Sequence, residues 1–248
     1  MAVNSVIVAI IEARMNSSRL PGKHMLEANG KPMIQHLIER LKPIKLLDEI
    51  VMATTDNESD NVLVDLAKTL SIASFRGSES DVMSRVLGAA EASAADVIVG
   101  ITGDCPLIDS ELVAQAVKTF LINDCDYVNN AGVPGYPGGM NTQVYSLDTL
   151  RHSSDLAVDA IDREHVTSHI LRNPELYRPI ILAPPPELDR PDVMLELDEP
   201  NDYRLLKKII EYFGETSPLF SCRQILALLD ANPSWLDINK AVRRKGFE

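Results

Sequence analysis

Residues Val6 to Ile11 are apolar without interruption, and the chain turns polar directly after them. A run of that length with no polar alternation is the pattern of a strand buried on both faces. Within the next dozen positions come Arg14, Ser17, Ser18, Arg19, Gly22 and Lys23, with Pro21 and Gly22 forbidding a regular helix across them. Pro32 then fits the first turn of a helix, where its missing N–H does no harm. Met33, Ile34, Leu37, Ile38 and Leu41 recur at helical spacing and predict that helix's inner face. Strand, long cationic loop, helix is therefore the opening unit. In an α/β protein such a loop opens at the crevice where ligands bind. Three cations with hydroxyls and turn amides suit a polyphosphate. The loop is neither a Walker A motif nor a GxGxxG turn, since Gly30-Lys31 is followed by Pro32.

The unit repeats. Glu49–Thr54, Ile72–Phe75 and Asp96–Ile101 read as strands, and the spacing predicts helices over Asn61–Leu70, Asp81–Ala92 and Ser110–Leu121. On the second helix Val62, Leu63, Leu66 and Leu70 are expected to share the inner face. Alternation of this kind predicts an α/β fold, a mostly parallel, Rossmann-like sheet with helices on both faces. The pattern breaks at Asn129–Asn141, which holds four glycines and two prolines. Strand text resumes at Thr142–Ser146. Leu150–Leu171 reads as helix, in one piece or two, Tyr177–Leu182 as strand, Val193–Leu197 as a last strand and Tyr203–Phe213 as helix. Residues 221–245 read as terminal helices. The expected organisation is one domain over 1–248, with insertions near 129–145 and 172–195 and a helical tail near 216–248.

Composition excludes several classes. The net charge is −12, from 36 acidic and 24 basic residues, so nucleic acid is not an expected partner. No apolar run reaches the length of a membrane span, and no basic segment precedes an apolar leader, so a cytoplasmic protein is expected. Cys105, Cys125 and Cys222 have neither zinc-site nor disulfide spacing.

The stretch Ala13-Arg14, Ser17, Arg19-Leu20-Pro21-Gly22-Lys23 and Gly30-Lys31-Pro32-Met33-Ile34 resembles the amino-terminal signature of cytidylyltransferases that activate acidic sugars. The resemblance is to the spore-coat-polysaccharide type, related to CMP-Kdo and CMP-sialic acid synthetases, and it runs from about Val6 to about Asn239. It implies a nucleotide-diphospho-sugar transferase type of fold with a small dimerisation insertion. It also implies transfer of CMP from CTP to a 2-keto-3-deoxy type sugar, with release of pyrophosphate. A nucleotidyltransferase for a neutral sugar 1-phosphate, or a non-catalytic nucleotide-binding protein on the same fold, are the alternatives.

Residue by residue, Arg14, Ser17, Arg19 and Lys23 match the triphosphate cradle, with Ala13, Arg76 and Ser78 on the nucleoside side. Asp104 lies in Gly103-Asp104-Cys105-Pro106-Leu107-Ile108, at the end of a buried strand, and Asp198 precedes Pro200 and Asp202. In the resembling enzymes these two positions hold Mg²⁺, and Arg14, Lys23 and Asp104 carry the catalytic role. The bland reading of each aspartate is a turn or helix cap. Arg163 and His165, in Arg163-Glu164-His165-Val166-Thr167, are candidates for the acceptor sugar, with Asn141 and Gln143. The last two are a departure: relatives often read GLDVEV where this chain has Gly139-Met140-Asn141-Thr142-Gln143-Val144. Two expected acids are amides, which leaves the sugar's identity open. The resemblance further implies a homodimer.

Overall fold

The computed structural model describes residues 5–130, 135–214, 217 and 219–242. Ala131–Pro134 of the glycine-rich loop and residues 243–245 of the expected terminal helices lie outside the described residues.

In chain order the elements are β1 Ile7–Glu12, a two-residue ribbon of β2 Glu27–Ala28 and β3 Lys31–Pro32, α1 Met33–Leu41, β4 Glu49–Thr55, α2 Asn61–Thr69 and β5 Ala73–Gly77. Then come α3 Val82–Ala92, β6 Val97–Thr102, α4 Ser110–Ile122, β7 Tyr127–Asn129, β8 Gln143–Ser146 and α5 Leu147–Leu156. The short helices α6 Ala160–Glu164 and α7 Ser168–Arg172 precede β9 Pro179–Ile181, α8 Pro200–Phe213 and α9 Cys222–Ala231.

Among the described residues seven strands form one sheet in the order β5-β4-β1-β6-β8-β7-β9. β5, β4, β1 and β6 are mutually parallel, and β8 runs antiparallel between β6 and β7. Alternate residues of β1 serve opposite faces. Ala9 and Ile11 join α1, α2 and α4 through Leu37, Leu63 and Val113. Val8 and Ile10 join α3 and α5 through Val86 and Leu150. That two-sided burial is why the strand carries no polar residue until Glu12. All five predicted inner residues of α1 are fully buried, each worth roughly 1.5–3 kcal/mol relative to exposure.

Some expectations fail at the margins. Pro32 caps α1 rather than entering it, because it pairs in the ribbon. Val62 is 37% exposed, and Ala67 takes the inner position on α2. Leu150–Leu171 is broken into three helices. The expected last strand, Val193–Leu197, forms no ladder among the described residues: it makes an isolated bridge, Gly138 to Met194, and a backbone bond from Leu197 to Asp104. Its buried Val193, Leu195 and Leu197 instead pack with α8 and α9 in a third apolar cluster. The partner of β9 is β7, a three-residue strand.

Candidate active site

Because β1, β4, β5 and β6 are parallel, their carboxyl ends open on one edge, and four loops crowd there. The loop after β1 folds on itself at Met15. Its carbonyl accepts the N–H of Ser17 (3.0 Å) and of Gly22 (3.0 Å). Gly22 closes this ring at φ +71°, a conformation costly for any side chain. A 3-10 turn, Lys23–Met25, then carries the chain inward. Lys23 ends only 7% exposed.

There its Nζ lies 2.6 Å from Asp104 Oδ1 and 3.2 Å from Asp198 Oδ1. Arg19 reaches the same Asp198 oxygen at 2.8 Å. Backbone bonds set this convergence. Gly103 N–H donates to the Glu12 carbonyl (2.8 Å), and Leu197 N–H donates to the Asp104 carbonyl (2.8 Å). A Cβ on Gly103 would lie 2.8 Å from the His24 ring and 3.0 Å from the Glu12 carbonyl oxygen, so a side chain there would push the buried imidazole or the strand ends apart. His24 is buried with Nε2 3.8 Å from Asp104 Oδ1. Burial lowers its pKa to about 4, so it is neutral near pH 7. Asp109, next along, accepts from Glu111 N–H and caps α4.

Arg14 turns away from this cluster and donates to the Glu79 carbonyl at 3.2 Å. Glu79 also accepts from Asn57 Nδ2 (2.7 Å), which laces the loops after β4 and β5 together. Arg76 spends its guanidinium on the carbonyls of Thr55 (3.0 Å) and Asn57 (2.7 Å) and on Asn61 Oδ1 (2.6 Å). Ser78 Oγ accepts from Asp81 N–H, and Ser17 Oγ from Leu20 N–H. Ala13 is buried, its N–H on the Ala53 carbonyl.

Toward β8, Asn141 Nδ2 donates to Glu196 Oε1 (3.1 Å), and Gln143 Oε1 accepts from Thr167 Oγ1 (3.0 Å). Arg163 forks onto Asp81 with Nε 3.0 Å from each carboxylate oxygen, and adds Ser154. Burial alone would raise the Asp81 pKa, but hydrogen bonds from Arg163 and Ser84 hold it below the usual range. His165 is exposed. The structure thus gathers Arg19, Lys23, Asp104 and Asp198 into one cluster and Arg14, Arg76 and Ser78 around a second, while Arg163 is a strut between α6 and α3.

Sequence reasoning missed Glu12, His24, Asp60, Glu79 and Arg85. Asp60 is fully buried and binds Met15 N–H. Arg85, also buried, donates from α3 to the Ser78 carbonyl. The available signals were a charged residue closing an apolar strand (Glu12) and an arginine on an otherwise apolar helix face (Arg85).

Two carboxylate oxygens meeting on one ammonium are a hard-oxygen pair already sharing a cation, which fits a divalent ion of the Mg²⁺ kind. Among the described residues no group of three or more His, Cys, Asp or Glu is placed to hold a metal. An ion here would complete its shell with phosphate oxygens and waters, as Mg²⁺ does.

Residues 8–224 match the cytidylyltransferase family profile. The chain is 37% identical over 241 residues to an uncharacterised protein of Methanocaldococcus jannaschii, covering 97% of each. It is 32% identical over 232 residues to the spore coat polysaccharide biosynthesis protein SpsF of Bacillus subtilis, covering 92% of this chain and 95% of that one. A solved cytidylyltransferase from Leptospira borgpetersenii superposes with a TM-score of 0.91 at 31% identity, covering 97% of this chain and 100% of that one.

Proposed function

This chain belongs to the cytidylyltransferase family, and from that membership we propose that it moves CMP from CTP to the hydroxyl of an acidic, 2-keto-3-deoxy type sugar. Pyrophosphate leaves, and the product serves cell-surface polysaccharide synthesis. The observation that carries the reading is the Lys23 ammonium lying between Asp104 and Asp198.

In this reading Arg19 and Lys23 rest on Asp104 and Asp198, and Arg14 on the Glu79 carbonyl, until substrate arrives. Arg14, Ser17, Arg19 and Lys23 hold the β- and γ-phosphates, and charge neutralisation there favours departure of pyrophosphate. Asp104 and Asp198 would hold Mg²⁺, which when bound would polarise the α-phosphate and acidify the attacking hydroxyl. The ring that Met15 closes fixes Arg19 and Lys23 before the nucleotide binds, so little ordering remains to be done in the transition state. Ala13, Arg76 and Ser78 shape the nucleoside side, Arg76 through the carbonyls it braces. Asn141, Gln143 and His165 face the acceptor, and Arg163 positions α6 through Asp81. Acceptor hydroxyls can hydrogen-bond to Asn141 and Gln143, and the amides in place of acids keep a neutral sugar 1-phosphate as the second reading.

No helix among the described residues is long and apolar enough to cross a membrane. We place the protein in the cytoplasm, with CTP, and as a homodimer. The test is a panel of CTP and UTP against a 2-keto-3-deoxy sugar acid and a sugar 1-phosphate, with Mg²⁺, scored for pyrophosphate. Release with CTP and the sugar acid is expected. Release only with the sugar 1-phosphate would transfer the assignment to the second reading, and none with any pair would leave a binding protein.

A further inference from the structure

We propose that Asp60 is the positioning residue of the polyphosphate loop, fixing through Met15 the ring that carries Arg19 and delivers Lys23. The proposal rests on the nucleotide reading above for its purpose, but not for its geometry.

Asp60 has no exposed surface, so it touches no substrate itself. Its two oxygens face different elements. Oδ2 accepts from the strand end: Thr54 Oγ1 at 2.8 Å, Thr55 N–H at 3.0 Å and Thr55 Oγ1 at 2.6 Å. Oδ1 accepts Met15 N–H at 2.8 Å, from a loop 45 residues earlier in the chain. Met15 is in turn the residue whose carbonyl closes the ring on Ser17 and Gly22. One carboxylate therefore joins the rigid end of β4 to the peptide on which the loop is folded.

Chemistry explains why the group is a carboxylate. Five donors converge on it, the fifth being the neighbouring Ser59 Oγ at 3.4 Å from Oδ1, and an ionised carboxylate is a side chain with two oxygens that only accept. An amide at the same place must aim its NH₂ either at the strand donors or at Met15 N–H. The hydroxyls of Thr54 and Thr55 can turn away, but the Thr55 and Met15 N–H groups cannot. With its oxygen kept on Thr55, an asparagine would set N–H against N–H at Met15 and push the loop off the strand. A buried, unanswered N–H is costly enough that the loop would leave rather than stay.

Two variants separate positioning from plain structural support. Asp60→Asn removes the Met15 bond, whereas Thr54→Val removes a donor on the strand side only. Two readouts are taken on each: amide hydrogen exchange along residues 15–23, and CTP affinity by calorimetry with Mg²⁺. The expected result for Asp60→Asn is exchange at Ser17 and Gly22 faster by about tenfold or more, with a Kd for CTP weaker by a similar factor. Thr54→Val is expected to lower the melting midpoint while loop exchange and CTP affinity stay within about twofold of wild type. Equal loss of midpoint in both variants with loop exchange unchanged would overturn the proposal. If Asp60→Asn does not fold, the wild type decides. Protection at Met15, Ser17 and Gly22 of the order seen at Thr55 supports the link, and exchange about a hundredfold faster than at Thr55 refutes it. A wild type that binds no CTP would sink the nucleotide reading alone, since the exchange comparison needs no ligand.

Discussion

Glu12 ends a strand that is otherwise wholly apolar, and its carboxyl sits where four loops displace water. Burial lifts its pKa to about 7, against a downward pull from Arg85, with Asp104 adding to the rise. An acid whose folded pKa lies above its unfolded value keeps its proton in the fold while the unfolded chain has lost it. Its contribution is therefore fully present below about pH 4.5 and is lost as pH rises through 7. The swing has an upper bound of about 3 kcal/mol. Glu12→Gln is expected to match wild type near pH 5 and to melt higher near pH 8. Thermal melts across that range check it, and a difference that does not vary with pH would contradict the desolvated carboxyl. Asp60 shows the opposite balance. Burial pushes its carboxyl up, but hydrogen bonds from Thr55, Met15 and Thr54 outweigh it and keep the pKa low. Asp104 and Asp198 meet on one ammonium, so Asp104→Asn and Asp198→Asn are each expected to abolish Mg²⁺-dependent turnover, with a double variant no worse than either. Two modest losses that simply add would assign them separate structural roles.

At the scale of the element, the loop after β1 has two kinds of cation. The Arg14 side chain is 39% exposed and holds a carbonyl. Lys23 is buried between two acids. Arg14→Ala is expected to cut pyrophosphate release by about a hundredfold, with the melting midpoint nearly unchanged. Lys23→Ala is expected to cut it at least as far and also to cost about 2 kcal/mol of stability. A buried pair broken on one side costs more than that, but Asp104 is partly exposed and solvent screens it. Equal midpoints for the two variants would contradict the buried bridge. The sequence pattern predicts both residues as free loop cations, because cation spacing shows the loop and not the 3-10 turn that takes Lys23 under it. The long elements were legible: β1, α1 and α4 announce themselves by unbroken or helical apolar periodicity. Val193–Leu197 misled because its apolar alternation serves α8 and α9, which the strand pattern cannot distinguish from a sheet. β7 is too short to show a period. The Asp104–Asp198 encounter was legible only as a resemblance, since no local rule joins positions so far apart in the chain.

At the scale of the whole molecule, one stretch of the chain carries several exposed apolar side chains. Between β8 and β9 lie Val158, 90% exposed, and Ile161, 59% exposed, with Leu156, Leu171 and Leu176 also open. β9 lies at the end of the sheet order, paired on one side with β7. Exposed large apolar residues in the segment leading into an edge strand are costly in water and prone to unwanted pairing. A two-fold copy is the commonest symmetric way to cover such a region, because one patch serves both subunits. The segment also carries Arg163 and His165 on and just after α6, so a copy docked on Ile161 would sit beside residues proposed to face or position the acceptor site. We therefore expect a homodimer through residues 156–181. Light scattering after size exclusion at micromolar concentration should give about twice the chain's 27.3 kDa. Val158→Asp with Ile161→Asp should return the single-chain mass with the melting midpoint little lowered, since neither side chain is in the core. It should also weaken turnover on the acceptor more than affinity for CTP. A wild-type mass of one chain would remove the dimer and leave the acceptor site to be built within one subunit. A dimer that survives the double substitution would move the interface elsewhere on the surface.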